Sequence, residues 1–242
     1  MHSKVFQDAH AALHGILFDG MSIMAGGFGL CGVPENLVIA LRDSNVRDLT
    51  IIGNNVGCDE HGMWMVLANN QISKVLASYV GENKILAERF INGSIEIEFN
   101  PQGTLAERIR AGGAGIPAFY TRTGYGTKIA EGKETREFNG EHYVMETGLV
   151  ADVSLVKAWK GDTEGNLIYR KTARNFNPMI ATAGKITVAE VEILVEPGEL
   201  EPDQIHTPGI FVNRIVRGRD YVKHIERLTT TPRAGAQAQA KE

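Results

Sequence analysis

The chain runs to 242 residues, the length of one large domain, and its 43% hydrophobic and 22% charged residues exclude whole-chain disorder. Lysine and arginine number 25 against 29 aspartate and glutamate, a formal net charge of −4; this argues against a general nucleic-acid binder, whose affinity comes from surplus cations. Two cysteines, Cys31 and Cys58, are too few for a disulfide framework or a thiolate zinc cage and suit a reducing, cytoplasmic setting.

Val5, Phe6, Ala9, Leu13 and Ile16 recur at helical spacing and predict an opening amphipathic helix, closed by Asp19-Gly20. The amino-terminal segment has no apolar core of a secretory leader, and no later apolar run approaches the roughly 18 residues of a membrane span. Ser22–Ala25 reads as a short buried strand that runs into a glycine-rich loop, and Pro34 suits the first turn of a helix over residues 35–41. Leu49–Ile52 and Ile72–Ala77 are the next strands, the former ending in Gly53-Asn54-Asn55; a helix over 82–90 leads to an alternating strand over 95–99. A helix introduced by Pro101 and Thr104 stops in the glycines at 112–115. The middle of the chain is loop-rich, with a hairpin at Asn139-Gly140, since that pair supplies the two positive φ angles of a type I′ turn. Residues 150–157, 185–195 and 210–216 are further strands. Alternating strands and helices imply the α/β class, an open and largely parallel sheet with flanking helices. One domain is expected over residues 1–228, followed by a flexible tail, 229–242, without apolar periodicity.

Gly27-x-Gly29-x-x-Gly32 between a strand and a helix fits the dinucleotide fingerprint, but the second strand ends in Asn54 where a Rossmann site carries an acid for the ribose. The loop then reads either as an anion cradle at a helix N-terminus or as a tight turn needed for packing. Asn54-Asn55 sits at the carboxyl end of a strand, where ligands bind in open α/β sheets; its amides either donate to a developing oxyanion or make an Asx turn. Gln102 occupies a comparable strand-to-helix loop. His10 and His14 share a helical face, but no acid or third ligand has metal-site spacing, and no G-x-S-x-G elbow exists. Cys31 reads as a packing residue or a thiol near a helix start, and Arg170, Lys171 and Arg174 as a solvated face or a carboxylate- or phosphate-binding cluster.

Several separated blocks share one resemblance. Asp19-Gly20 before Ser22–Ala25, Gly26-Gly27-Phe28 and Gly32-Val33-Pro34, then Ser78-Tyr79-Val80-Gly81-Glu82-Asn83, Pro101-Gln102-Gly103-Thr104, Gly124-Tyr125-Gly126-Thr127 and Lys171-Thr172-Ala173-Arg174-Asn175-Phe176-Asn177-Pro178 are similar to the A half of the family I coenzyme A transferases, over residues 3–217. The resemblance implies a CoA-transferase fold of the NagB/RpiA-like kind and CoA transfer from succinyl-CoA to a 3-oxo acid such as acetoacetate. It implies ping-pong chemistry in which a glutamate of the B half attacks the thioester. The B-type Ser-Glu-Asn-Gly block is absent, and Glu82, followed by Lys84 after Asn83, has the A-type pattern. A separate B subunit is therefore the expected partner, in a heterodimer or an A2B2 assembly. The resemblance also implies that Asn54 and Gln102, with Asn55, line the reacting acyl group. Gly26, Gly27, Phe28, Gly29, Leu30, Cys31 and Gly32 correspond to the family's CoA-binding segment. No metal, nucleotide or redox cofactor is implied, the CoA thioester being a substrate. The alternatives are the A half of a 3-oxoadipate or acetate/acetoacetate CoA-transferase, and a noncatalytic ligand-binding module on the same fold.

Overall fold

The computed structural model describes residues 3–58 and 60–224. The expected tail and the boundary at residue 228 lie outside them. The chain opens with strand β1 (Val5–Phe6) and helix α1 (Ala9–Leu13), then alternates β2 (Ser22–Ala25), α2 (Glu35–Asp43), β3 (Leu49–Ile52), α3 (Trp64–Ala68), β4 (Ile72–Ala77), α4 (Lys84–Ile91), β5 (Glu96–Phe99) and α5 (Gln102–Gly113). Strands β6 (Ala118–Thr121), β7 (Thr135–Phe138) and β8 (Glu141–Thr147) form a small antiparallel sheet, before β9 (Ala151–Asp162), β10 (Leu167–Ile168), α6 (Asn177–Ala183), β11 (Gly184–Val195) and β12 (Arg214–Arg217).

The main sheet runs in the order β1-β12-β11-β9-β2-β3-β4-β5, every neighbouring pair parallel, with β10 antiparallel to β9. Winding reverses between β2 and β9: β3, β4 and β5 extend to one side, β11, β12 and β1 to the other. Parallel strands need crossovers, and the helices supply them on both faces. Along β2, Ile23 packs with α1 and α2 on one face while its neighbour Met24 packs with α5 and α6 on the other. The same alternation recurs at Ile51 and Ile52 of β3 and at Val75 and Leu76 of β4. Among the described residues no helix is long and apolar enough to cross a membrane.

The helix expected from Val5 begins instead at Ala9, capped by the Asp8 carboxylate, which accepts from Ala11 N at 2.8 Å. Val5 and Phe6 pair with Ile215 and Val216 as an edge strand. The hairpin at Asn139-Gly140 has the expected backbone, with φ of 51° and 77°, and joins β7 to β8. The elements α3, β6, β10 and α6 have no counterpart among the elements expected from the residues alone. The strand expected over 210–216 divides into a 3-10 turn at Gly209–Phe211 and β12.

A buried acid on β11 reaches across to helix α2. Glu190 of β11 is fully buried, and its Oε2 accepts from Leu37 N at 2.9 Å, which caps the first turn of α2 across the sheet. Burial pushes its carboxyl up to about 7, against the opposing pull of the Leu37 N–H and the Lys157 ammonium. The native state therefore holds a proton between the ordinary value of 4.5 and about 7 that the unfolded chain has released, so stability falls as pH rises through that window and levels off above it. Melting temperatures of wild type and Glu190→Gln across about pH 5 to 8 check this, with the gap moving in favour of the glutamine variant as pH rises. Parallel pH profiles would show that Glu190 does not titrate there.

Candidate active site

The loops that leave β2, β3, β4 and β5 all emerge at the carboxyl edge of the sheet, beside the reversal of winding, where open α/β sheets bind ligands. They enclose a cleft of about 950 Å³. Asn54 is its fixed point. Its main-chain carbonyl accepts from Ser78 N at 3.1 Å and Tyr79 N at 3.0 Å, joining the loop after β3 to the loop after β4. Its side chain, 4% exposed, accepts from Gln102 Nε2 at 2.8 Å and donates from Nδ2 to Asn55 Oδ1 at 3.1 Å. Gln102 is the first residue of α5, placed there by Pro101 at the N-cap. Three amides from two loops thus form a chain along the cleft wall. Each amide nitrogen carries two protons; the Nε2 of Gln102 and the Nδ2 of Asn54 each spend one within the chain.

The glycine loop closes on itself at the mouth of the cleft. Phe28 and Cys31 exchange main-chain hydrogen bonds, N to O at 3.0 and 3.1 Å, around a tight turn in which Gly29 has φ 59°. Those two N–H groups are used up, and the α2 N-terminus beyond them is already served by Glu190. Phe28, Gly29 and Cys31 line the cleft, whereas Gly26, Gly27, Leu30 and Gly32 do not. A Cβ on Gly26 would collide with Asn177 Oδ1, and one on Gly32 would stand 2.5 Å from the Ala173 carbonyl. Gly27, at φ 124°, abuts Val33, and Leu30 borders a separate cavity of about 120 Å³ with Glu35 and His61. At Gly26, Gly27 and Gly32 a side chain would meet the protein's own Asn177, Val33 and Ala173.

Sequence reasoning does not place Tyr79, Cys58, Thr172 or Asn175 in the site, yet all four line the cleft. Tyr79 is accessible to such reasoning in principle, since it follows β4 as Asn54 follows β3. Glu82 lies on the same lining at φ 60°, exposed, with no side-chain hydrogen bond or ion pair among the described residues. Arg170, Lys171 and Arg174 share a segment with Thr172 but are not on the lining; Arg170 lies 5.3 Å over the Trp159 ring. The described histidines are off the cleft lining: His10 meets Asp43 at 3.2 Å, His61 stacks on His224, His142 stacks on Tyr125, and His206 Nδ1 accepts from Tyr169 N. Among the described residues no cluster has the makings of a metal site.

The description "Coenzyme A transferase" belongs to the family model that matches residues 6–218. The chain is a member of the coenzyme A transferase family. It is 60% identical over 227 residues to the A subunit of succinyl-CoA:3-ketoacid coenzyme A transferase from Xanthomonas campestris pv. campestris strain B100, covering 94% of each chain. It is also 60% identical over 220 residues to the probable A subunit of the same transferase from Bacillus subtilis, covering 91% of this chain and 92% of that one. Among solved structures, an acyl-CoA transferase from Escherichia coli O157:H7 in a thioester complex with CoA superposes with a TM-score of 0.82 at 21% identity. That match covers 91% of this chain and 50% of the other, so this transferase chain spans about half of that molecule.

The transferase loop makes a direct stability test. Gly26→Ala displaces Asn177 and is expected to lower the melting temperature by about 5 °C or more, given roughly 2–4 °C per kcal/mol for a chain of this size. Gly103→Ala meets nothing within 4 Å and adopts its helical conformation freely, so it leaves the melting temperature unchanged or raises it. Equal losses in the two variants would remove the close-approach explanation.

Proposed function

We propose that this chain is the A subunit of a succinyl-CoA:3-oxoacid CoA-transferase, that its partner is a B subunit, and that the attacking glutamate belongs to that partner. The single observation that carries the reading is the 60% identity to the Xanthomonas transferase chain across nearly the full length of both. The cleft agrees with a supporting rather than a nucleophilic role, since it offers aimed amide donors while Glu82 is exposed and bonded to no described side chain. The two free cysteines suit the cytoplasm as its place of action.

The reaction runs through successive acyl transfers. The partner's glutamate oxygen adds to the succinyl-CoA carbonyl, and the tetrahedral oxyanion collapses by expelling CoA thiolate to leave a mixed anhydride. The thiolate adds to the glutamyl carbonyl and releases succinate, giving a glutamyl-CoA thioester. A 3-oxo acid carboxylate then displaces the thiolate, which finally attacks the new acyl carbonyl and frees the glutamate. Thiolate leaves readily at each stage because thiols are acidic, with a pKa of about 8.5 for cysteine. No metal, nucleotide or redox group enters these steps. The second N–H groups of Gln102 and Asn54 are the donors that meet the oxyanion, and their mutual hydrogen bonds pre-orient them for it.

The test uses the chain co-purified with its partner. The isolated chain is expected to show negligible succinyl-CoA to acetoacetate transfer, and addition of the partner restores it. Gln102→Ala in the complex lowers kcat on the order of 100- to 1000-fold, with a smaller change in KM. Glu82→Gln retains more than about a tenth of the activity, because it is not the nucleophile. Loss of all turnover in Glu82→Gln, together with a CoA adduct on this chain by intact-mass measurement, would reverse the assignment of roles.

A further inference from the structure

The segment from Thr172 to Asn177 lies against the glycine loop, and two of its asparagines hydrogen-bond to that loop's carbonyls. Asn177 is fully buried: Nδ2 donates to Gly32 O at 3.0 Å and to Ala173 O at 2.9 Å, and Oδ1 accepts from Lys157 N of β9 at 2.8 Å. Asn175 donates from Nδ2 to Cys31 O and to Thr172 O, both at 2.9 Å, and accepts from Phe176 N at 2.7 Å. Two consecutive carbonyls of the glycine loop, Cys31 and Gly32, are thus each held by an amide from the same strap.

Two further observations show that the arrangement is built rather than incidental. Asn175 holds φ 21° and ψ −120°, a conformation that an L side chain adopts at a cost and that its three strong hydrogen bonds sustain. Gly26 and Gly32 have no room for a side chain because the strap fills it, with Asn177 Oδ1 against the first and Ala173 O and Asn175 Nδ2 against the second. The strained residue is itself on the cleft lining, beside Cys31 and Thr172, whose Sγ and Oγ1 lie 3.5 Å apart.

We infer that Asn175 and Asn177 are positioning residues for the transferase reaction, fixing the wall formed by Phe28, Gly29 and Cys31 so that the acyl-CoA is held against the Asn54 and Gln102 amides. The inference rests on the function proposed above. It assigns the strap no contact with the reacting carbonyl. Its effect is on how the thioester is seated, and so on its binding more than on the chemical step.

Asn175→Gly is the informative variant. Glycine lacks the Cβ that makes positive φ costly, so relief of strain offsets the lost hydrogen bonds and the melting temperature is expected to stay within about 3 °C of wild type. In the full chain, peptide-level hydrogen exchange over residues 28–32 is expected to speed up about 10-fold or more, while β9 and β11 keep their protection. In the complex with the partner, KM for succinyl-CoA rises about 10-fold with a smaller fall in kcat, the opposite split from Gln102→Ala. Asn175→Asp, which keeps the acceptor for Phe176 N but loses both donations, follows the same pattern. Unchanged exchange over residues 28–32 in Asn175→Gly overturns the inference whatever the enzyme does. Unchanged kinetics in a complex whose wild type turns over succinyl-CoA overturns it too. An inactive wild-type complex would instead count against the proposed function, and the exchange result would still decide whether the strap holds the loop.

Discussion

The parallel pairing of β2 with β9 is the constraint from which the site follows. Ile23 faces Val153 and Met24 faces Ser154 at the point where the sheet reverses its winding. On one side of that seam the crossovers carry the chain to β3, β4 and β5, so their outgoing loops end beside one another at one edge. On the other side β9 receives the Asn177 amide, which ties the strap to the loop after β2. Asp152 at the start of β9 anchors the opposite end of the seam, accepting from Ser22 N, Ser22 Oγ and Lys185 Nζ at 2.8–2.9 Å, and these partners hold its carboxyl down at about 2.

The interior polar groups divide the work of holding these loops. Asn54 and Asn177 are almost or wholly out of water, and each amide is matched by donors and acceptors from different segments. A buried amide left unmatched costs about 1–3 kcal/mol, so each of them specifies one arrangement of the loops it joins. Arg108 of α5 does the same: it is buried, donates to Glu98 of β5 and to Asn100 just after it, and reaches the Thr147 carbonyl of β8 at 2.9 Å. The small antiparallel sheet is thereby fastened to the helix that begins with Gln102. Glu190 supplies, from within the sheet, the acceptor for Leu37 N in the first turn of α2.

Much of this frame could be read from the residues. Strands β2, β3 and β4 are short apolar runs closed by glycine or polar residues, and the parallel sheet and the strand-end positions of Asn54 and Gln102 follow from that pattern. The elements that escaped are those without periodicity. A two-residue strand at Val5 has no pattern of its own and merges into the helix that follows, while the largely buried α6 lacks a polar face to mark it. The glycine loop shows a deeper limit. A Gly-x-Gly-x-x-Gly spacing reports that something approaches the backbone closely, and the residues alone do not say whether that is a ligand or an asparagine some 150 positions away. Glu190 is likewise hard to read from its strand, where Glu192 alternates with it, and its partner, Leu37 N, comes from a helix near the other end of the chain.

The placement of β1 bears on how the molecule comes into being. Among the described residues Val5 and Phe6 find their strand partners only in Ile215 and Val216, and Lys4 reaches the carbonyls of Glu164 and Gly209. These early residues therefore wait, unpaired, until residues 214–217 have left the ribosome, and the seam between β2 and β9 must also wait for residues 151–162. Such long-range closure makes for slow folding. A nascent chain of this kind exposes the apolar faces of β2, β3 and β4 during synthesis, and its safe arrival depends on those faces being shielded until the last strands are delivered.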